Sequence, residues 1–175
     1  DEIPKLNHIN FKKIKNKIVL FKQEMMYYKF NLKLDDFVWI GTRACKFKNL
    51  KSPQWLRDIK AKNFAWWRID TWFSKKKYQN MKFIDNGGWH FSYLKTPEAV
   101  EKKLKSYLHH IDYDINPLGI EKIKKIMDEK KTIYNLKVDQ KKNKFGEQNK
   151  LIKIENKNLP SYINNNLEKF SNWIE

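Results

Sequence analysis

The chain has 175 residues, 41% hydrophobic and 15% aromatic with seven tryptophans, too apolar for a disordered protein and long enough for one domain with a real core. Its net charge of +17 is almost wholly lysine, with arginine only at Arg43, Arg57 and Arg68. Because arginine is the side chain suited to bidentate phosphate and base contacts, the charge reads as solvated lysine surface, and no nucleic acid is expected as the partner. The lone Cys45 excludes an internal disulfide and a cysteine zinc cluster, and no apolar run approaches the roughly 18 residues of a membrane span.

Asp1-Glu2-Ile3-Pro4 reads as the end of a strand entering a loop, since Pro4 disfavours helix at Ile3. Residues 9–16 suggest a short helix carrying Ile9 and Phe11 inward. Lys17 to Leu34 is β-rich and aromatic, consistent with buried strand, and Phe37-Val38-Trp39-Ile40 begins a second strand, with Gly41 marking a bend or close approach. Ser52-Pro53 is a helix start leading through Trp55, Leu56 and Ile59. Aromatics mixed with Arg68 and Asp70 fill 64–73, Lys75-Lys76-Lys77 reads as a solvated tip, and a strand is expected over 81–84.

Thr96-Pro97-Glu98 opens a helix whose apolar face is Val100, Leu104, Tyr107, Leu108 and Ile111. A second amphipathic helix covers about 119–130 through Ile120, Ile123, Ile126 and Met127. The polar stretch 137–150 reads as an exposed excursion, and Leu159-Pro160 introduces a final helix through Tyr162, Ile163, Phe170 and Trp173. One compact domain over 1–175 is expected, with no internal repeat or linker.

The densest chemistry is in Phe83-Ile84-Asp85-Asn86-Gly87-Gly88-Trp89-His90-Phe91-Ser92-Tyr93. Paired glycines permit positive φ and close approach to main-chain N–H groups, and a histidine beside an indole offers a ligand or acid/base at an apolar platform. The same residues equally describe a hairpin turn entering a core strand. His109 and His110 lie near a helix C-terminus, where a dipole contact or core role fits, and His8 carries no signal. Walker, Rossmann, nucleophile-elbow and zincin motifs are missing from the sequence. Acids converging at strand ends, such as Asp1, Glu2 and Asp85, suit a divalent cation or general-base work; solvated surface is the alternative for each.

Three ordered motifs span the chain: Asp-Glu-Ile-Pro at the start, Gly-Trp-His-Phe-Ser-Tyr followed by Thr-Pro-Glu, and Leu-Pro-x-Tyr-Ile-x-Asn-Asn before a closing Phe and Trp. Together they resemble glycosyltransferase family 17, the β-1,4-mannosyl-glycoprotein 4-β-N-acetylglucosaminyltransferase-like proteins. The resemblance implies an α/β chain: part of a GT-A type fold, a mixed sheet flanked by helices. Asp1 would be the second aspartate of an Asp-x-Asp motif, so that this is the acceptor-side portion and the nucleotide-binding half lies upstream. It implies an inverting transfer of N-acetylglucosamine, or a related hexose, from a nucleotide sugar such as UDP-N-acetylglucosamine to a glycan or glycoprotein acceptor, with Mn²⁺ or Mg²⁺ as cofactor. In that scheme Asp1 and His90 ligate the metal and Glu2 orients it or the donor sugar. Gly87 and Gly88 let backbone pass close to the donor, and Asp85, then Asp70, is the candidate catalytic base. Trp89, with Trp66, Trp67 and Trp72, would offer stacking faces to sugars or simply pack the core.

Two other classes stay open. Charge interleaved with aromatics is also the composition of a single-strand nucleic-acid groove, and an inactive structural or partner-binding fragment has the same sequence features. By location, the resemblance implies a Golgi lumen for a eukaryotic-type member. The Lys-, Asn- and Ile-rich composition suits a microbial or viral protein, cytoplasmic or peripheral to a membrane.

Overall fold

Ile18-Val19-Leu20-Phe21 is apolar at every position, the pattern of a strand covered on both faces. In the computed structural model, which describes residues 1–106, 113–136 and 148–175, it forms strand β2 (Ile18–Phe21) with all four residues buried. It is the middle strand of a three-stranded mixed sheet. On one side β5 (Arg43–Cys45) runs antiparallel, with Val19 opposite Ala44; on the other β6 (Met81–Ile84) runs parallel, with Leu20 opposite Phe83. A second sheet has the order β1 (Glu2–Pro4), β7 (Gly88–Ser92), β3 (Gln23–Tyr27), β4 (Leu32–Trp39), β8 (Leu151–Lys153). With helices α1 (Pro53–Asp58), α2 (Pro97–Ser106), α3 (Ile120–Asp128) and α4 (Ser161–Asn164), the architecture is α/β: mixed sheets flanked by helices.

The chain packs as two compact units, each assembled from separated stretches. The first comprises Glu2–Glu24 and Val38–His90. Its core is Ile18, Leu20, Ile59 and Met81, with Trp55, Leu56 and Phe83 packed against them. Helix α1 begins as expected: the Ser52 hydroxyl accepts from Trp55 N–H at 3.0 Å, and Pro53 occupies the first turn, where no N–H is needed. Arg43 donates from one guanidinium nitrogen to the carbonyls of Leu56 (3.1 Å), Arg57 and Ile59, satisfying carbonyls at the end of α1 that have no helical partner.

The second unit comprises Asp1, Met25–Phe37 and Phe91–Glu175. There β8 pairs antiparallel with β4, Lys33 opposite Ile152, and α2 packs against α3 through buried Val100, Leu104, Ile123 and Ile126. Asn31, fully buried, donates to Asn156 (3.1 Å) and accepts from the Glu175 N–H (2.8 Å), so its desolvated amide is satisfied.

Several local expectations change. Instead of a helix over 9–16 there is one 3-10 turn, Phe11–Lys13, without a side-chain cap, and Phe11 is exposed. Phe37–Trp39 ends β4 rather than beginning a strand. Asp36 takes φ 51°, a value that aspartate tolerates, and the strand continues through the acids that look like a break. The Gly-Gly turn is not a hairpin, because β6 and β7 lie in different sheets. The final helix is two pieces, α4 and a 3-10 segment Glu168–Trp173 kinked at Phe170. The run Asn164-Asn165-Asn166, which closes α4 and leads out of it, competes with helix through its own side chains. Tyr107, Leu108, His109, His110, Ile111 and most of the 137–150 stretch fall outside the described residues.

Candidate functional site

Strand β1 lies antiparallel on β7 with Glu2 opposite His90, Ile3 opposite Trp89 and Pro4 opposite Gly88. Directly opposed residues share a face of the sheet, and neighbours along a strand alternate. Glu2 and His90 therefore meet, with Glu2 Oε1 3.6 Å from His90 Nδ1 and both side chains mostly buried. By the same alternation it is Glu2, not Asp1, that the ladder sets opposite His90; Asp1 is exposed, and its carbonyl accepts from Phe91 N–H at 2.7 Å.

The Glu2 carboxylate is fixed by its neighbours. Trp39 Nε1 donates to Oε1 at 2.9 Å and Thr42 Oγ1 donates to Oε2 at 2.6 Å. The Trp39 indole also stacks on the His90 ring, centroids 4.7 Å apart and planes 22° from parallel, so one side chain orients both members of the pair. Gly41 makes room: a Cβ there would collide with Glu2 Oε1 and Trp39 Nε1. Below, buried Gln23 donates to the Trp89 carbonyl (3.2 Å) and accepts from Thr42 N–H (3.1 Å), tying the Thr42 backbone to β7. The sequence marked Glu2, His90 and the close approach at Gly41. It did not reveal Trp39, Thr42 and Gln23 as their partners, because nothing local links those positions.

The two glycines before Trp89 serve the backbone. A Cβ on Gly88, whose φ is +123°, would strike the Ile3 carbonyl and the main chain of Pro4 and Lys5. A Cβ on Gly87 would lie 2.9 Å from Phe21 Cβ and 3.0 Å from the Lys22 main chain. Close approach is thus realised at both positions, toward strands of the same chain. Gly87 N–H donates to Lys22 O at 2.7 Å and Lys22 N–H to Ile84 O at 2.9 Å, which locks the turn to the end of β2.

Asp85, 77% exposed, pairs with Lys22 Nζ at 2.7 Å, and that hydrogen bond and charge hold its carboxyl below the usual range. It lies at the rim of an open pocket of about 290 Å³ formed with His8, Asn10, Ile14 and Phe83. Asp70 is more tightly held: Arg68 grips both oxygens at 2.8 and 2.9 Å and Lys77 adds a bond at 2.6 Å, lowering its pKa to about 2. A group so acidic is a weak base at neutral pH, whereas Asp85, bonded to Lys22 and within the field of Lys82, is held less tightly and has adjoining space. Trp66, Trp67 and Trp72 are exposed, and Trp89 is half-buried.

Glu2 and His90 form a two-member donor set of oxygen and nitrogen. Among the described residues no cluster of three or more His, Cys, Asp or Glu is arranged to hold a metal. Of a divalent ion's oxygen and nitrogen ligands the pair would supply two, and the others would have to come from phosphate oxygens or water. Comparison with family models, curated proteins and solved structures finds no match to this chain.

Proposed function

We propose that the chain is a part of a metal-dependent inverting glycosyltransferase. It would move N-acetylglucosamine, or a related hexose, from a nucleotide-sugar donor to a glycan acceptor. The supporting observation is the β1–β7 register, which brings the acid of the opening Asp-Glu-Ile-Pro motif against the histidine of Gly-Trp-His. Glu2 and His90 would hold the cation, whose charge would offset that of the departing diphosphate. Trp39 and Thr42 keep the Glu2 carboxylate in place before any ligand arrives. Asp85, beside its pocket, is the proposed base. The acceptor oxygen bonds to the anomeric carbon, that carbon's bond to the diphosphate breaks, and the hydroxyl proton passes to Asp85. Lys22, hydrogen-bonded to Asp85, positions its carboxylate.

The test is turnover of UDP-N-acetylglucosamine and related donors by the full-length protein with Mn²⁺ and a glycan acceptor. Transfer is expected to vanish with chelator and in a His90→Ala protein that still folds by circular dichroism. Transfer that survives either treatment would refute the proposal.

A further inference from the structure

Five large apolar side chains stand out of the first unit within eight residues: Trp66, Trp67, Ile69, Trp72 and Phe73, each at least 65% exposed. Folded surfaces rarely collect apolar groups so densely without something to cover them. The backbone beneath is well anchored. The Gln79 amide donates to the Trp66 carbonyl (3.1 Å) and to the Thr71 hydroxyl (2.7 Å), and that hydroxyl donates to the Arg68 carbonyl (2.7 Å). Lys60 N–H donates to Lys76 O at 2.8 Å and closes the base of the loop. The rings stand outward on an anchored backbone, an arrangement that lowers the ordering cost of binding.

The charges around the rings narrow the choice of partner. Residues 57–77 carry five lysines and two arginines against two carboxylates, Asp58 and Asp70. Both carboxylates are already paired, Asp58 with Lys76 at 3.2 Å and Asp70 with Arg68 and Lys77. The loop thus offers an outward apolar tip inside a collar of surplus positive charge. Indoles favour the level of lipid headgroups, Ile and Phe favour the acyl boundary, and lysines favour anionic lipid. A sugar platform needs a ring face surrounded by hydrogen-bonding groups, and Ile69 and Phe73 supply none. We infer that the 64–77 loop docks this protein onto an anionic lipid bilayer, with Trp66, Trp67 and Trp72 in the headgroup layer and Lys62 and Lys75 against the lipid phosphates.

Sedimentation of the full chain with lipid vesicles tests this without reading turnover, so its outcome is separate from that of the transferase assay. Vesicles containing phosphatidylglycerol should bind it at least about tenfold more tightly than pure phosphatidylcholine. Replacing the exposed rings, Trp66→Ala, Trp67→Ala and Trp72→Ala together, should weaken binding about a hundredfold with an unchanged unfolding midpoint. Lys62→Glu with Lys75→Glu should erase the preference for anionic lipid. Brominated acyl chains should quench tryptophan emission in the native chain and not in the triple variant, where Trp39, Trp55, Trp89 and Trp173 remain as internal controls. Undiminished vesicle binding by the triple variant would overturn the inference. So would equal affinity for both lipids, or an emission change with single-stranded oligonucleotide or chitooligosaccharide but none with vesicles.

Discussion

A methyl group at residue 41 would occupy the place now held by the Glu2 carboxylate and the Trp39 indole nitrogen. Gly41→Ala should therefore push Glu2 off Trp39 and Thr42, leave those donors without their acceptor, and cost about 1–3 kcal/mol in urea unfolding. Gly88→Ala should cost more, at least about 3 kcal/mol, because the residue combines φ +123° with a backbone collision against β1 that no rotamer change relieves. Equal, negligible losses at both positions would contradict this packing. The acids give a second check. Asp70, gripped by Arg68 and Lys77, should titrate near pH 2 by carboxyl NMR. Since its folded pKa lies below the unfolded value, the support it lends is complete above the ordinary aspartate range of about 4 and is lost as pH falls toward 2. Asp85 should also titrate below that range and move up in Lys22→Met, because Lys22 is the main cause of its shift.

Among the elements, α1 has a start held by a side-chain cap, the Ser52 hydroxyl. Ser52→Ala removes the acceptor for Trp55 N–H and should lower stability by about 1 kcal/mol, with Ser52→Asp restoring it. The elements legible in the sequence are those that announce themselves locally. These are the Ser-Pro and Thr-Pro-Glu starts of α1 and α2, the apolar run of β2, and the face of α3 carrying Ile123 and Ile126. Those that were not legible depend on distant partners. β4 runs through Asp36 in a left-handed conformation, and the opening strand, itself legible, takes a partner that was not, β7, which Gly88 lets lie against it. The candidate site divides the same way. Glu2 and His90 carry chemically distinctive side chains in distinctive motifs. Trp39 and Thr42 read as ordinary strand and loop residues until the fold brings them to the carboxylate.

For the molecule as a whole, charge and aromatic content pointed in more than one direction, and composition has no means of saying which tryptophans face outward. The fold separates them. Trp55 packs against the first unit's core and donates to Tyr78 Oη at 3.0 Å, Trp39 serves the Glu2–His90 pair, and Trp66, Trp67 and Trp72 are solvent-facing. Among the described residues no helix is long and apolar enough to cross a membrane. The lipid contact proposed for the 64–77 loop is a surface contact made by a short loop. The transferase proposal requires that the acid of β1 and the imidazole of β7 act together on one cation. Paramagnetic broadening tests this directly, by adding Mn²⁺ with UDP to protein labelled in its histidine and glutamate side chains. The Glu2 carboxyl and His90 imidazole signals should broaden together, ahead of His8, and Glu2→Gln should abolish the effect at His90. If His90 keeps its line width while Mn²⁺ broadens signals elsewhere, the two side chains do not share a cation and the proposed mechanism fails.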